Sequence, residues 1–533
     1  MKTRNFLTAI LVAFATLGAK AQNPYLPMWE YTPDGEPYVF EDPDRPGEYR
    51  VYVYGSHDSL IKYYCGLEQV VWSAPVDDLT NWRYDGVIFR SVMGPDNRPL
   101  NHDGKGDVLY APDVTMRVAA DGRKEYFLYP NNQAWGREGM VARSERPDGP
   151  FEVCNWSADD PTRTEGVLRF DPGVFVDDDG RVYGYWGFSR SYGAELDPTT
   201  MATVRPGTEV VEDMIPGFEQ DETFRFFEAS SIRKVKDKYI FIYSRFTRPG
   251  EFGLGMSNYT LAYAYGDHPL GPWTYGGTII DGRGRDVDAD GNAIPTAWPH
   301  GNTHGSICKI GNQWWVFYHR QTGTDQYSRQ AMVAPISVKV EKGRGGKVTI
   351  SEGEYNSEGF MTEGLNPLHK SAAGLACYLT EPGTVGESFP NFFHTGSYVK
   401  PTRLGEQPEE GPYNQKIPYC PVVNNTSGSV VGYKYFNFTH TADATHPRLC
   451  VHLVPEGLDA TITVMLDAPD ATRGGKALGT IALVKDTPRW KKEWTIDVPN
   501  LKGVKGKHPL FFVFHSATPD KSICELHDFQ FMK

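Results

Sequence analysis

The sequence predicts an all-β chain, a five-bladed β-propeller followed by a β-sandwich of jelly-roll type, and three observations carry that prediction. Aromatic strands that follow a turn recur at 50–54, 125–129, 182–186, 239–243 and 314–318, intervals of about 55 to 75 residues. Helical periodicity is scarce between them. Beyond about residue 382 the spacing changes to short alternating strands such as 432–438, 460–466, 494–498 and 509–514, the pattern of a sandwich.

Taken in order, the chain opens with Lys2 and Arg4, an apolar run over 6–17, and Ala19-Lys20-Ala21. A charged start, a short apolar centre and a small-residue cleavage site describe a secretory signal over 1–21. No cysteine stands at the cleavage point, so the mature chain is expected to begin at Gln22, secreted or periplasmic, with no lipid anchor and no membrane insertion. The five hairpins then occupy 22–385, with outer strands at 70–75 and 261–265. A Glu- and Gly-rich return strand and linker follow over 348–382, and the sandwich fills 386–533.

The 533 residues are 40% hydrophobic and 13% aromatic with a formal net charge of -13. That composition suits a turn-rich β protein and a neutral ligand, because nucleic acid and anionic membranes select basic faces. A monomer is expected. Seven cysteines, at 65, 154, 308, 377, 420, 450 and 524, either form disulfides or serve as small buried hydrophobes. The second reading is preferred, since no tight spacing recurs.

Each inner strand is preceded by an ionisable residue: Asp34, Asp113, Asp171, Glu228 and His304. Asp113 and Asp171 each lie eight residues before the Asp of an Asp-Gly turn, at 121–122 and 179–180. The same offset reaches Lys236-Asp237 from Glu228, Asn312 from His304 and Asp42 from Asp34, with 43–48 as an insertion. It favours Asp34 over Glu36, although two such residues on a strand share a face.

In a propeller these openings converge on the centre of the disc. Carboxyls gathered in one pocket cannot all ionise freely, so one should keep its proton near neutral pH. An acid that protonates a leaving oxygen, opposite a carboxylate that activates water, is the equipment of glycoside hydrolysis. The longer Glu228 suits the acid and Asp34 the base. The alternative is that these residues cap turns and strand ends.

The same residues carry a family resemblance. Asp34 before a Val-Phe strand, Tyr-Ala-Pro-Asp at 110–113, Phe-Asp-Pro-Gly-Val-Phe-Val-Asp-Asp-Asp-Gly at 170–180, Phe-Glu-Ala-Ser at 227–230 and Thr-His-Gly-Ser at 303–306 together resemble glycoside hydrolase family 43. The resemblance implies a five-bladed propeller and an inverting mechanism. Asp34 would be the general base, Glu228 the general acid and Asp171 the group that orients the acid and tunes its pKa.

His304 matches the place where family members hold a central metal, usually calcium and mostly through waters; a hydrogen-bonded histidine is the other reading. Arg329 resembles an arginine set against sugar hydroxyls. Asp113 and Trp186 complete the expected substrate contacts, and Trp29, Trp72 and Trp135 either stack on sugar rings or fill the interblade core. The departure lies at the base, where the family's Asp-Pro is replaced by Asp34-Gly35-Glu36-Pro37. Asp42-Pro43 and Asp44 are positions that a motif search could choose, but they fall in the turn.

The C-terminal region, with Gly-Tyr-Lys-Tyr-Phe at 432–436 and Leu-His-Asp-Phe-Gln-Phe at 526–531, is similar to a family 6 carbohydrate-binding module, either a sugar-binding face or a structural support. The residues imply a glycoside hydrolase with no organic cofactor, and the family 43 resemblance alone implies release of α-L-arabinofuranosyl or β-D-xylosyl residues from plant cell-wall poly- or oligosaccharides. A galactosidase or galactanase of the same fold, or a non-catalytic glycan-binding propeller, are the rivals. An intact acid pair speaks against the last.

Overall fold

The computed structural model describes residues 22–60, 62–91, 106–298, 301–382, 396–403 and 420–533. The expected signal at 1–21 and the 383–395 part of the expected domain junction lie outside the described residues. Among the described residues the fold is all-β, with only short 3-10 turns as helix and no helix long and apolar enough to cross a membrane.

Between 36 and 336 the described residues form five successive antiparallel sheets, each a meander in chain order, with a two-stranded ribbon of Arg285–Val287 and Ala293–Pro295 between the fourth and the fifth. The first is Glu36–Glu41, Tyr49–Gly55, Glu68–Pro75 and Arg83–Arg90. The second is Asp113–Val118, Lys124–Tyr129, Ala142–Ser144 and Glu152–Val153. Gly173–Val176, Val182–Trp186, Tyr192–Leu196 and Val211–Glu212 make the third. Phe226–Val235, Lys238–Arg245, Thr260–Gly266 and Thr274–Asp281 make the fourth. The fifth has three strands, Ser306–Ile310, Gln313–Arg320 and Gln330–Ile336.

The aromatic second strands are apolar on both faces because both faces are covered. Tyr52 and Tyr54 pack with Tyr126 and Leu128 of the second sheet, while Val51 and Val53 pack with Trp315 and Phe317 of the fifth. Phe127 and Tyr129 meet Val174 and Val182, Tyr183 and Tyr185 meet Phe241 and Tyr243, and Ile240 and Ile242 meet Val316 and Tyr318. Every neighbouring pair of sheets thus shares a core, the fifth and first included. Full burial of one such side chain contributes about 1.5 to 3 kcal/mol. The N-terminal segment crosses the same seam: Asn23 exchanges side-chain hydrogen bonds with the Val333 backbone at 2.7 and 2.9 Å, and Tyr25 N–H donates to Ala331 O at 3.3 Å.

The hairpin turns differ in length. Loops span 42–48, 119–123 and 177–181, whereas 236–237 and 311–312 are tight two-residue turns. Gly122 and Gly180 take φ of 84° and 81° in the Asp-Gly turns, a conformation open to glycine at little cost. An offset counted back from the turn therefore does not measure the same depth in every hairpin, which matters at the site below.

The stretches 432–438, 460–466, 494–498 and 509–514 fall on the strands Val430–Asn437, Ala460–Leu466, Glu493–Asp497 and Lys507–Ser516. Two further antiparallel sheets result, one ordered Tyr378–Thr380, Val430–Asn437, Lys507–Ser516, Ala460–Leu466, Lys476–Leu483. The other runs Tyr398–Val399, Val422–Val423, Cys524–Met532, Arg448–Pro455, Glu493–Asp497. Both contribute to one core that includes Val431, Phe512, Val451 and Phe529.

The stretch expected as return strand and linker divides. Val348–Ile350 pairs with Val338–Val340, but Ser371–Ala372 and Tyr378–Thr380 join the C-terminal sheets. Ala373, Leu375 and Ala376 are buried in that core, so the C-terminal unit recruits chain from before the expected boundary at 385. All seven cysteines are free, five of them buried.

Candidate active site

A cavity of about 580 Å³ opens where the inner strands begin, and Asp34, Asp171, Glu228, His304 and Arg329 line it. Asp34, Asp171 and His304 stand in the loops just ahead of the strands that start at Glu36, Gly173 and Ser306, and Glu228 lies at a register shift in Phe226–Val235. Asp34 and Asp171 have φ of 60° and 44°. Loop and bulge positions escape the ladder's strict alternation and can aim a carboxyl into the centre.

Asp34 is held ionised. Its Oδ1 accepts from Arg329 Nη1 at 3.1 Å and its Oδ2 from Ser56 Oγ at 2.6 Å, while its N–H donates to His319 Nδ1 at 3.2 Å. Burial works to raise its pKa, but Arg329, His319 and His304 together hold the carboxyl below the usual range. Arg329 also donates to Asp58 through Nε and Nη2 at 3.0 and 2.8 Å, so its guanidinium clamps two carboxylates.

Glu228 is driven the opposite way. Burial, then the adjacent Asp171 charge, with Asp34 adding to them, push its pKa well up against the opposing His304 and Arg329. Asp171 itself accepts from Asn131 Nδ2 at 2.8 Å and from Ala229 N–H at 3.1 Å. The second bond comes from the residue after Glu228, which ties the two openings together. One cavity thus holds a carboxylate kept charged and a carboxyl kept protonated, the separation of roles that acid–base chemistry requires.

Asp113 does not line this cavity. It opens a strand, paired with Tyr129, and its carboxyl accepts from Tyr38 OH and Val174 N–H, both at 2.6 Å. Burial and the neighbouring Glu36 push its pKa to about 7. Glu36 also stands away from the cavity lining, but there burial is outweighed by Arg233 and His304, which hold the carboxyl below the usual range. Its Oε2 accepts from Arg233 Nη2 at 2.8 Å and from Ser231 Oγ at 3.2 Å. Asp34 and Glu36 therefore do not share a face as expected, because only Glu36 is in the strand. The single ring of five expected from the offset becomes four residues at the cavity with Asp113 packed among inner strands.

Trp186 also lies away from the cavity. It is buried, its ring stacked on Tyr192 with centroids 5.6 Å apart. Trp72 is buried and Trp29 packs against the same core, whereas Trp135 is 80% exposed beneath the Arg163 guanidinium. The aromatic lining is supplied instead by Tyr64, Tyr110, Phe170, Phe188, Phe227 and Tyr327. Sequence reasoning also missed Ser56, Asp58, Asn131 and His319. All four lie within about three residues of the ends of the aromatic second strands, so polar residues at that end were the available signal.

His304 sits 3.5 Å from Glu36 Oε1 and 3.7 Å from Asp171 Oδ2. Burial opposes a charge on the ring, but Asp171 and Glu36 overcome it and push its pKa well up. Both ring nitrogens and Glu36 Oε1 are buried without a hydrogen-bond partner. Direct calcium ligation takes six to eight oxygens, more than these carboxylates supply. With the ring neutral, the orphaned His304 nitrogens at the cavity wall fit a cation held through water, with the Glu36 carboxylate behind them.

A family model described as glycosyl hydrolases family 43 matches residues 47–341. Asp34 precedes that match, while Asp113, Asp171, Glu228, His304 and Arg329 fall within it. A xylosidase/arabinosidase of Thermoclostridium stercorarium is 36% identical over 438 residues, 78% of this chain and 82% of its own length. An arabinoxylan arabinofuranohydrolase of Paenibacillus polymyxa is 29% identical over 308 residues, 54% of this chain and 44% of its own. A solved family 43 arabinoxylan arabinofuranohydrolase of Bacillus subtilis, in complex with cellotetraose, aligns with 96% of this chain and 97% of its own at 20% identity and a TM-score of 0.43.

Proposed function

Because this chain belongs to glycosyl hydrolases family 43 and is a glycoside hydrolase, we propose that it releases α-L-arabinofuranosyl or β-D-xylosyl residues from plant cell-wall poly- or oligosaccharides with inversion. The observation that carries the reading is the opposed proton affinity of Asp34 and Glu228 across one cavity. Glu228 protonates the glycosidic oxygen as the bond breaks. Asp34 takes the proton of a water that attacks the anomeric carbon from the opposite face. Asp171 keeps the proton on Glu228 until it is needed and holds the Ala229 backbone beside it.

The pentose preference is supported by the xylosidase/arabinosidase relative and by the aromatic cavity walls, which suit sugar faces. Arg329 is the substrate-facing cation of the proposal, positioned by Asp58. The five sheets with shared cores support a five-bladed propeller, and the two C-terminal sheets around one core support a β-sandwich resembling a family 6 carbohydrate-binding module. His304 and Glu36 would hold a calcium ion through water, where its charge would offset that of Glu36. Export follows from the signal-like residues 1–21.

The test is a panel of aryl α-L-arabinofuranoside, β-D-xyloside and β-D-galactoside substrates assayed with the purified enzyme. Turnover of either pentoside well above the galactoside supports the proposal. Preferred turnover of the galactoside overturns the sugar assignment and leaves the acid and base roles open to the tests below.

A further inference from the structure

We propose that Cys450, His452 and Glu493 form a binding site for a divalent transition ion, zinc by its ligand chemistry, on the C-terminal sheet and apart from the catalytic cavity. Cys450 and His452 are two residues apart on Arg448–Pro455 and so share a face. Glu493 on the edge strand Glu493–Asp497 pairs directly with His452, and Asp528 on Cys524–Met532 pairs with it from the other side. Three neighbouring strands thereby bring a thiol, an imidazole and two carboxylates to one patch of the sheet.

The spacing suits a metal. One ligand atom from each of Cys450, His452 and Glu493 lies within 4.8 Å of the others. Cys450 Sγ is 3.8 Å and Glu493 Oε2 3.4 Å from His452 Nε2. A tetrahedral zinc with ordinary bond lengths separates sulfur from nitrogen by about 3.6 Å and nitrogen from oxygen by about 3.4 Å. Little movement would be needed to close the site.

Asp528 supplies the second argument. Its Oδ1 lies 2.6 Å from His452 Nδ1, which places the ring proton on Nδ1 and turns the Nε2 lone pair toward Cys450 and Glu493. A carboxylate behind a histidine in this way orients and strengthens a metal ligand. His452 is 7% exposed at its side chain and Glu493 66%, so the ion would enter from solvent and keep a fourth position for water. Thiolate, imidazole and carboxylate together suit zinc rather than calcium or magnesium. Ion binding displaces the Cys450 thiol proton to solvent, and the ion would clip the edge strand to its neighbour.

The experiment uses the full chain stripped with a chelator and titrated with Zn²⁺ alone and with Co²⁺ alone. One equivalent of zinc is expected, and the cobalt form should show a thiolate-to-cobalt charge-transfer band that Cys450→Ser removes. Glu493→Gln, at an exposed side chain that does not threaten folding, should weaken zinc at least about tenfold, and Asp528→Asn by roughly 10- to 100-fold. Aryl glycoside hydrolysis should be unchanged in Glu493→Gln. No charge-transfer band in the unaltered chain, a band that survives Cys450→Ser, or zinc affinity indifferent to Glu493→Gln would each overturn the site.

Discussion

Replacing Glu228 by Gln keeps the side chain's size and removes only its proton. The structure sets the size of the effect. Burial and the Asp171 charge push the Glu228 pKa well up, which favours the protonated carboxyl and puts the acid contribution at stake. General acid catalysis is worth roughly 10²- to 10⁴-fold, or about 2.7 to 5.4 kcal/mol of barrier at 1.36 kcal/mol per tenfold. The assay compares kcat/KM of the two proteins on a pentose oligosaccharide and on a dinitrophenyl pentoside, whose leaving group departs without a proton. Loss in that range on the oligosaccharide, with less than about tenfold on the dinitrophenyl substrate, is expected. Equal losses on both would refute the assignment of Glu228 as acid.

Asp34→Asn should lower turnover by roughly 10²- to 10⁴-fold on both substrates, while Glu36→Gln should stay within about tenfold and lower the Tm, because Arg233 loses its buried carboxylate; the reverse pattern of rates would exchange their roles. The profile of kcat/KM against pH should fall on the acid side as Asp34 protonates below the usual carboxylate range, and on the alkaline side as Glu228 ionises well above it. Loss of the alkaline limb in Glu228→Gln would tie that limb to this residue, and its persistence would exclude it. At His57 burial disfavours the charge, but Glu30 and Glu68 at 3.2 and 3.7 Å outweigh it and push the pKa up to about 9. A raised pKa gives stability that is complete below about 6.5 and is lost as pH rises through about 9. The Tm gap between the unaltered protein and His57→Gln should therefore narrow from pH 6 to pH 10, and a gap that widens would refute the pairing.

Much of the architecture is periodic and so was visible in one dimension. The five aromatic strands recur because each is covered on both faces by neighbouring sheets, a demand that writes itself into every repeat. Residues that open inner strands were equally visible, and four of the five chosen do line the cavity. The failures share a cause. Counting from the turn could not separate Asp113 from Asp171, since both stand at the same offset from loops of equal length, yet one opens a paired strand and the other stands in a loop ahead of it. Nor could it separate Trp186, pressed on Tyr192, from the phenylalanines that face the cavity.

By itself, then, the sequence determined the all-β character and the recurrence of the aromatic hairpins, and it singled out Asp34 and Glu228 as candidates, because burial periodicity and residue chemistry are local properties. Tertiary structure alone decided which carboxyl keeps its proton. Asp34 is an acid like any other until Arg329, nearly three hundred positions later, is folded against it. Glu228 holds its proton more tightly only when the fold buries it and a separate hairpin sets Asp171 beside it. Proton affinity is a sum over charges brought near in space, and chain order does not carry that sum.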